Sequence, residues 1–433
     1  MKANKIAQIG LLLLLLSGIS ISILPYLLSP SVQGAPWGQP DLNNPYVQST
    51  RSNRLVFAYF FYWYDWTMST HFQGVPGCND ELSLHPVNEE NVSYLDPNWD
   101  YREFKDMITA GIDVFLPDFW GGNGGSGLNT TWDEQGLGPM EIALDCLHAE
   151  NYNAANVRNV TNPIPKVGMF FDTTCMSLLY PPAADLTNST QVNTFYKIIK
   201  DFYSFFNTTN VQQWPDATNV SAPTAYIVWL YGANYFTRVA QSCLDACKAR
   251  FLTDFNHSLM FVGTEDWRSG CPNMEGTYHW GTALSGETQV AYSRITIASL
   301  GAGMHNGNST VGAVCTANEP VIAVPRTPEY YSGNWTQVLQ GNPNWVVVET
   351  WNELFEGTGI CRTQEYSDTY INLTGQFSTQ FHALPFQSPG AVFLASNPGI
   401  FLIAIVGIVA LVGIWQSKKM PISAPKATRI ADE

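Results

Sequence analysis

The sequence predicts an α/β protein built as a single (β/α)8 TIM barrel. Short apolar segments alternate with amphipathic ones along most of the chain, as expected for βα units around a parallel sheet. Residues Trp345–Glu349 include three consecutive valines, which is typical of a parallel strand buried on both faces. The region between two hydrophobic ends, residues 36–385, is longer than the roughly 250 residues of a minimal barrel. It therefore suffices for one catalytic domain with long loops.

Eight strands are predicted, which is the number a closed barrel of this type needs. Each is a short apolar run bounded by polar or turn-forming residues. In chain order the predicted strands are Leu55–Tyr62, Ile112–Pro117, Lys166–Phe171, Ala225–Leu230, Leu259–Gly263, Thr277–Trp280, Ile295–Ser299 and Trp345–Glu349.

Helices are predicted between the strands, where apolar residues recur at helical spacing. The clearest is Thr190–Phe206, whose apolar residues fall on one stripe and whose first turn begins at a capping residue type. That stripe consists of Val192, Phe195, Ile199, Phe202 and Phe206. The predicted helices are Trp99–Ala110, Pro139–Ala149, Thr190–Phe206 and Thr237–Phe251.

Both ends of the chain are hydrophobic, which predicts a secreted and anchored protein. Residues 1–35 combine two lysines, an apolar run and small residues before residue 35, as in a signal peptide, with an uncleaved N-terminal anchor as the alternative. Residues 391–415 are long and apolar enough to span a bilayer and are followed by Lys418 and Lys419. We expect a linker at 386–390, a transmembrane helix at 391–415 and a cytoplasmic tail at 416–433, with the catalytic domain at the cell surface.

The charge of the chain restricts its partners. The formal net charge is −15 at pH 7, and several of the 21 Lys and Arg residues lie in the two terminal segments, so the central region is more acidic still. Phosphate binding needs basic stripes, which are absent here, so nucleic acid and anionic lipid are not expected partners. A neutral glycan or polysaccharide is compatible with this charge.

Cysteines and glycosylation motifs indicate an oxidising, extracellular compartment. Eight cysteines lie between the hydrophobic ends and predict disulfides, with the pairing left open. No metal or cofactor is predicted, because Cys-x-x-Cys and His-Glu-x-x-His spacings are absent. Asn-x-Ser/Thr motifs predict attached N-glycans on exposed loops or helix faces, at Asn91, Asn129, Asn159, Asn188, Asn207, Asn219, Asn256, Asn308, Asn334 and Asn372.

The motif that follows the last predicted strand carries the strongest functional signal. Residues 351–358 read Trp-Asn-Glu-Leu-Phe-Glu-Gly-Thr and place Glu353 and Glu356 three residues apart. Catalytic groups of TIM barrels lie at the C-terminal ends of the strands, so one carboxylate can accept a proton while the other donates one. Two glutamates at this spacing are more often a solvated helix face. The flanking Trp351, Phe355 and Gly357 favour a site instead.

This motif resembles the Asn-Glu-Trp-His-Glu-Gly-Thr signature of glycoside hydrolase family 99, which comprises endo-α-1,2-mannosidases, endomannanases and relatives from bacterial polysaccharide loci. Residues 57–64 are similar to the first strand of that family, and residues 107–120 to its first helix and second strand. Residues 366–370 continue the resemblance, which covers most of residues 54–375. It implies a (β/α)8 barrel and a mannose-containing glycan as substrate.

The resemblance also implies roles for individual residues. Glu353 would act as a base on the sugar's own 2-hydroxyl, giving an anhydro sugar, while Glu356 would act first as acid and then as base for water. Leu354 and Phe355 replace the family's Trp and His between the glutamates, so we expect an altered sugar preference. Arg326 matches a family arginine loosely and is expected to support the site.

Polar and aromatic residues at the ends of other predicted strands are expected to bind the glycan. Acids accept hydrogen bonds from hydroxyl groups, and aromatic faces pack against the apolar face of a pyranose. A buried acid could instead brace a loop and a tryptophan could instead pack, while His279 is more typical of a satisfied histidine at the barrel rim. The predicted substrate-binding residues are Trp63, Asp118, Trp120, Asp172, Tyr231, Glu265, Trp267, His279, Trp280, Arg326, Trp351 and Asn352.

We therefore expect a retaining, endo-acting glycoside hydrolase that cleaves α-mannose-containing glycans at the cell exterior. Within this class, double displacement with Glu353 or Asp118 as nucleophile is the alternative. From another class, a non-catalytic glycan-binding or cell-envelope protein on the same barrel is the alternative. The glycine-rich residues 121–127 lack the Lys-Ser/Thr of a phosphate loop, so we expect a flexible loop over the barrel rather than a nucleotide site.

Overall fold

A computed structural model describes residues 54–68, 72, 82–122, 131–150, 163–214, 224–291, 293, 295–304 and 325–384. Its centre is a sheet of parallel strands that closes nearly into a barrel, with the helices packed against it. The strands are β1 (Leu55–Phe60), β2 (Val114–Phe119), β3 (Lys166–Val167), β4 (Met169–Phe171), β5 (Ala184–Asp185), β6 (Gln213–Trp214), β7 (Ala225–Leu230), β8 (Phe236–Arg238), β9 (Ser258–Thr264), β10 (Gly276–Tyr278), β11 (Gln289–Ala291), β12 (Ile297–Gly301) and β13 (Trp345–Glu349).

The strand order in the main sheet is β10-β9-β7-β4-β2-β1-β13-β12, and each neighbouring pair in this series is parallel. A parallel bridge between Gly276 in β10 and Ile295 just before β12 brings the two ends of the series together. Two short strands, β6 on β7 and β11 on β12, add antiparallel pairs. The order places β1 beside β13, so the first and last strands of the chain are neighbours, as a barrel requires.

Eight helices accompany these strands within the described residues. Two begin with Pro in the first turn after a side-chain cap, since Asp96 accepts the N–H of Asn98 and Thr327 accepts the N–H of Tyr330. The helices are α1 (Pro97–Ala110), α2 (Thr131–Ala149), α3 (Thr174–Leu179), α4 (Ser189–Tyr203), α5 (Gln241–Phe255), α6 (Thr282–Ser285), α7 (Pro328–Gly341) and α8 (Thr369–Ala383).

The eight predicted barrel strands are confirmed, with ends shifted by a few residues. The four predicted helices correspond to α1, α2, α4 and α5, although α2 starts at Thr131 and carries Pro139 inside it. The sequence does not predict α7 and α8, because their buried faces contain polar residues that mask the helical pattern. Tyr331 in α7, for example, meets the hydroxyl of Thr374 in α8 at 2.9 Å.

Aromatic side chains fill the barrel interior. The ring of Phe57 on β1 lies 4.9 Å from that of Trp345 and 5.1 Å from that of Trp229. One step nearer the C-terminal ends of the strands, Tyr59 packs 4.6 Å from Phe170. All five side chains are at most 2% exposed, so the barrel is a packed core rather than a pore, and a ligand can enter only above these layers.

A buried carboxylate holds the end of β13. Oε2 of Glu349 accepts the backbone N–H groups of Gly281 at 2.9 Å and Ala283 at 3.2 Å, at the start of α6. This helix lies directly on β12, since a Cβ on Gly301 would come within 2.4 Å of the Cα of Ala283. Oε1 of Glu349 is buried without a hydrogen-bond partner. Burial raises the pKa of Glu349 to about 7, and the hydrogen bonds to its carboxylate only partly offset that effect.

Several expectations concern residues that lie wholly or partly outside the described ranges. The segments 1–35, 386–390, 391–415 and 416–433 are all outside them, as are residues 123–127 of the glycine-rich loop. Among the helices that the structure describes, none is long and apolar enough to cross a membrane. The six described cysteines have free thiols, so the predicted disulfides are not found among them, and Cys78 and Cys315 lie outside.

One glycosylation prediction is wrong. Asn334 in α7 is only 3% exposed, and its side-chain amide donates to the carbonyl of Gly301 at 3.2 Å. This asparagine therefore ties α7 to β12 and cannot carry a glycan in the folded protein. The predicted acceptors Asn91, Asn188 and Asn207 are exposed, and their modification stays a prediction.

We predict that the protein loses stability as the pH rises from 5 to 8, and that Glu349→Gln weakens this dependence. The folded state keeps a proton on Glu349 up to about pH 7, whereas an unfolded glutamate releases it near pH ~4.3. Between these values the folded protein binds more protons than the unfolded chain, so the free energy of unfolding falls with rising pH. For this one group the fall is on the order of 3 kcal/mol.

Urea unfolding of the wild type and Glu349→Gln at both pH values measures the difference, with Glu287→Gln at an exposed position as the matched control. Identical pH dependences for wild type and Glu349→Gln would mean that Glu349 is already ionised at pH 5 in the folded protein.

Candidate active site

The turn after β13 places Glu353 at the C-terminal end of the barrel. The backbone N–H of Glu353 donates to the hydroxyl of Thr350 at 2.8 Å, and its carbonyl accepts the N–H of Thr358 at 3.1 Å. Gly357 has a φ of 71°, a left-handed conformation that glycine adopts without steric cost and that lets the chain return. Hydrogen bonds within residues 350–358 therefore close the turn and fix the position of Glu353.

Glu353 is a buried carboxylate, and one of its two oxygens lacks a hydrogen-bond partner. Its Oε1 accepts the N–H of Glu356 at 3.3 Å and lies 3.5 Å from the hydroxyl of Tyr64. Its Oε2 is buried and has no hydrogen-bond partner. Burial, followed by the charge of Glu356, raises the pKa of Glu353 to about 8. A carboxyl group that titrates near neutral pH is suited to accept a proton during a reaction.

Glu356 lies on the same turn and is partly exposed. Its charge raises the pKa not only of Glu353 but also of Tyr231, which follows β7, so its carboxylate is close to both groups. Phe355, between the two glutamates, is 38% exposed, whereas Leu354 is 2% exposed. The structure thus brings the two predicted glutamates together and leaves a phenylalanine ring open beside them.

A second group of acids lies at the ends of β2 and β4. Asp118 is buried, and its Oδ2 accepts the indole N–H of Trp120 at 3.2 Å while its Oδ1 has no partner. Burial raises the pKa of Asp118 well above its usual range. The charges of Asp172, Asp133 and Glu353 raise it further, so this group lies beside the glutamate pair.

Asp172 and Asp133 are engaged by different partners. Oδ1 of Asp172 accepts the N–H of Thr174 at 2.9 Å and also its hydroxyl. Asp133, on α2, accepts the N–H of Trp120 at 2.9 Å and the hydroxyl of Tyr62 at 3.2 Å. Asp133 therefore fixes the loop after β2, while Asp172 keeps Oδ2 for other contacts. Among the described residues, no three His, Cys, Asp or Glu side chains are grouped to hold a metal ion.

Aromatic side chains form a wall beside these acids. Trp280 stacks on Phe170, with ring centroids 5.5 Å apart and planes 11° from parallel, and its ring lies 5.1 Å from that of Tyr231. Trp280 and Tyr231 are partly exposed, as are Trp63 and Trp120 past the ends of β1 and β2. The four predicted aromatic residues therefore keep accessible surface at the C-terminal ends of their strands.

Trp351 and Asn352 support the turn from behind. The side-chain amide of Asn352 pairs with the backbone of Phe61 through two hydrogen bonds of 2.7 Å, one accepted from its N–H and one donated to its carbonyl. Trp351 is fully buried, and its backbone N–H donates to the carbonyl of Tyr59 at 2.8 Å. The sequence predicts that both residues bind the glycan. In the structure their polar groups are already occupied, so both stabilise the turn instead.

Arg326 braces the other side of the same turn. Its guanidinium donates to the carbonyls of Gly303 at 3.0 Å, Gly357 at 3.2 Å and Gly359. It also lies over the rings of Tyr366 and Tyr370, at 4.8 and 4.4 Å from their centroids. Because backbone carbonyls and tyrosine rings occupy its guanidinium, Arg326 has the supporting role that the sequence predicts rather than a place among the glycan-binding residues.

The remaining predicted residues lie at or behind the rim. Nε2 of His279 is 3.7 Å from Oε1 of the exposed Glu265, so these two side chains meet at the surface after β9 and β10. Trp267 is fully buried and its indole donates to the carbonyl of Tyr231 at 3.2 Å. A sugar cannot reach that ring, so the predicted glycan contact of Trp267 is replaced by packing behind β7.

Three residues of this region, Tyr64, Glu349 and Asp133, are not among the predicted site residues. Tyr64 accepts the N–H of Leu354 at 2.9 Å and approaches Glu353, and Glu349 lies at the tip of β13. Both follow or end a predicted strand, so the same strand-end rule applies to them. Asp133 gives no such signal, because it lies in a helix and reaches the site only through the tertiary fold.

Solved structures are similar to this chain at low sequence identity. An endo-α-mannosidase of glycoside hydrolase family 99 from Bacteroides thetaiotaomicron is 14% identical, over 76% of this chain and 97% of that one, with a TM-score of 0.48. A glycoside hydrolase-like protein is 12% identical, over 75% of this chain and 94% of that one, with a TM-score of 0.50. The second similarity shows a shared fold. A comparison with curated proteins found no match.

A family model matches residues 46–391 of the chain. The match covers the whole barrel and the turn that carries Glu353 and Glu356, and it is to a family other than the one that the motif resembles. Its description is a domain of unknown function, DUF5010. Because the match spans well over half of the sequence, the protein belongs to the DUF5010 family.

Proposed function

We propose that the protein is a retaining, endo-acting glycoside hydrolase of α-mannose-containing glycans, with Glu353 and Glu356 as its catalytic pair. The observation that carries this proposal is the buried Glu353 carboxylate, which has an unpartnered oxygen, a pKa raised to about 8 and a second glutamate beside it. Two carboxyl groups with different environments are what glycoside hydrolysis requires. The resemblance of residues 351–358 to the family 99 signature supports the choice of mannose.

The raised pKa of Glu353 makes its ionised form a strong base, and the fraction of that form increases as the pH approaches 8. Ionised Glu353 would take the proton of the sugar 2-hydroxyl, and that oxygen would attack the anomeric carbon as the glycosidic bond breaks. Glu356, which is partly exposed, would donate a proton to the departing sugar oxygen. In the second half Glu356 would take a proton from water as the water opens the anhydro sugar, and Glu353 would return its proton to the 2-oxygen. Each group then regains its starting state.

The neighbouring groups are suited to hold a pyranose. Oδ1 of Asp118 is buried without a partner and can accept a hydrogen bond from a sugar hydroxyl. Trp280 and Tyr231 offer partly exposed aromatic faces on the same side of the barrel. These contacts support binding of a neutral sugar ring next to the glutamate pair.

Double displacement is the competing route within the same reaction class, with Glu353 or Asp118 as nucleophile. Both carboxylates have an unpartnered buried oxygen. Aryl mannosides in which the 2-hydroxyl is methylated separate the two routes. Only the anhydro-sugar route needs that hydroxyl, so hydrolysis of the methylated substrate at an unchanged rate would favour double displacement.

The first prediction compares the two glutamates. We expect Glu356→Gln to reduce hydrolysis of natural glycans by roughly 10²- to 10⁴-fold, because a general acid is lost, and to spare most of the rate on substrates with an activated leaving group. Glu353→Gln should lose activity on both substrates, because the base is needed whatever the leaving group.

Initial rates on both substrates test this, with Glu287→Gln as the matched surface control and thermal unfolding to show that each variant is folded. Near-wild-type turnover of natural glycan by Glu356→Gln would remove it from the acid role. A folded wild type that binds mannosides and hydrolyses none would instead identify a glycan-binding protein.

The second prediction concerns Phe355, which can offer only an apolar face where the family 99 signature has a histidine. A lost hydrogen bond to a substrate hydroxyl shifts discrimination by roughly 1–3 kcal/mol, or about 5- to 150-fold. We therefore expect Phe355→His, alone or with Leu354→Trp, to raise activity on α-1,2-mannosides relative to the other substrates of a mannoside panel. Unchanged activity ratios across the panel would show that these two positions do not set the preference.

The third prediction concerns topology. We propose that the barrel is displayed outside the cell on the helix predicted at 391–415, because Lys418 and Lys419 favour the cytoplasmic side. External protease on intact cells should then release the barrel and leave an epitope within residues 417–433 protected. Digestion of that epitope from outside would reverse the proposed orientation.

A further inference from the structure

The indole of Trp351 is held by a carboxylate outside the barrel. Its N–H donates to Oε2 of Glu103, on α1, at 2.6 Å. The other oxygen of Glu103 accepts the indole N–H of Trp99 at 3.2 Å. A single carboxylate therefore joins the helix that follows β1 to the first residue of the catalytic turn.

The backbone of Trp351 is also held in place. Its backbone N–H donates to Tyr59 on β1, and its carbonyl accepts the N–H of Cys361, both at 2.8 Å. Trp351 lies two residues before Glu353 in the chain, so a displacement of Trp351 as a whole would shift the peptide that carries the proposed base.

Glu103 makes its hydrogen bonds to the two indoles and not to either proposed catalytic glutamate. It lines a cavity of about 250 Å³ on the flank of the barrel, together with Arg102, Asp106 and Arg362. Arg362 is bound to Asp106 through two hydrogen bonds of 2.8 and 2.9 Å. Glu103 is partly exposed and borders this cavity, while its two carboxylate oxygens hold the two indoles.

We propose that Glu103 is a positioning residue that fixes Glu353 for catalysis by accepting the indole N–H of Trp351. The inference rests on the proposed function of Glu353 and assigns no contact between Glu103 and substrate. Misplacement of a reacting group by about 1 Å can cost roughly 10²-fold in rate, so a brace on Trp351, two residues before Glu353, has a measurable effect.

The charge state of Glu103 sets the strength of this contact. Burial raises the pKa of Glu103 to about 7, and the indole N–H of Trp351 opposes that rise. Above this pH the ionised carboxylate accepts both indoles as charge-assisted hydrogen bonds, and below it the neutral acid is a weaker acceptor. The other titratable or charged groups that face it are Asp100, Arg102, Asp106, Cys361 and Arg362.

Kinetics of Glu103→Ala and Glu103→Gln in the full chain test the proposal. We expect Glu103→Ala to lower kcat about 10- to 100-fold and to leave KM within about twofold, because the substrate contacts are untouched. Formate should restore part of the lost kcat, since the cavity beside the deleted carboxylate can admit it. Glu287→Gln, which removes an exposed carboxylate that has no bond to Trp351, is the control and should keep wild-type kcat.

A second readout does not depend on activity. In protein labelled with ¹⁵N-tryptophan, the indole N–H signal of Trp351, assigned with Trp351→Phe, should shift with a midpoint near pH 7. The same signal in Glu103→Gln should not titrate. This pH titration also tests the contact between Glu103 and Trp351 if Glu103→Ala fails to fold.

The outcomes separate the two proposals. A wild type without glycosidase activity would overturn the proposed function, and the indole titration would still decide whether Glu103 holds Trp351. An active wild type with normal kcat in both Glu103 variants, or a Trp351 signal that is insensitive to pH and to Glu103→Gln, would overturn the positioning role.

Discussion

The barrel contains a group of carboxylates that are buried without cationic partners, and the proposed function depends on them. Asp118, Asp133, Asp172, Glu349 and Glu353 are all at most 9% exposed, and none of them takes part in an ion pair within the described part of the chain. Burial separates these carboxyl groups from bulk water. Each carboxyl therefore resists ionisation: burial raises the pKa of all five, to about 7 for Glu349 and to about 8 for Glu353.

Such a site needs a rigid frame, because an unpaired buried charge would otherwise draw in solvent or rearrange. The frame is made largely of hydrogen bonds to the backbone. The side chain of Asn352 makes two hydrogen bonds with the backbone of Phe61, as a neighbouring strand would. Arg326 donates hydrogen bonds to three carbonyls around the turn. Within the motif, the tryptophan, the asparagine and the glycine therefore hold the turn in place. The two glutamates remain for the proposed reaction.

The sequence was a good guide wherever periodicity and strand ends carry the information. Eight apolar runs become the eight barrel strands, and the strand-end rule finds Asp118, Asp172 and Glu353. It is a poor guide where a residue's role depends on what packs against it. Trp267 and Arg326 follow predicted patterns yet are enclosed by other elements, Asn334 carries a glycosylation motif on a buried helix face, and Glu103 reaches the turn from a helix far away in sequence. Local patterns contain no record of these distant partners.

The carbonyl of Leu354 accepts the N–H groups of both Ser83 and Leu84, each at 3.0 Å. These bonds attach the segment between β1 and α1 to the catalytic turn through backbone atoms alone. Backbone bonds are indifferent to side-chain identity, so much of that segment can drift in sequence while its attachment persists. Side chains on this long segment can therefore change, and with them the surface beside the exposed Phe355, while these two hydrogen bonds to the turn are kept.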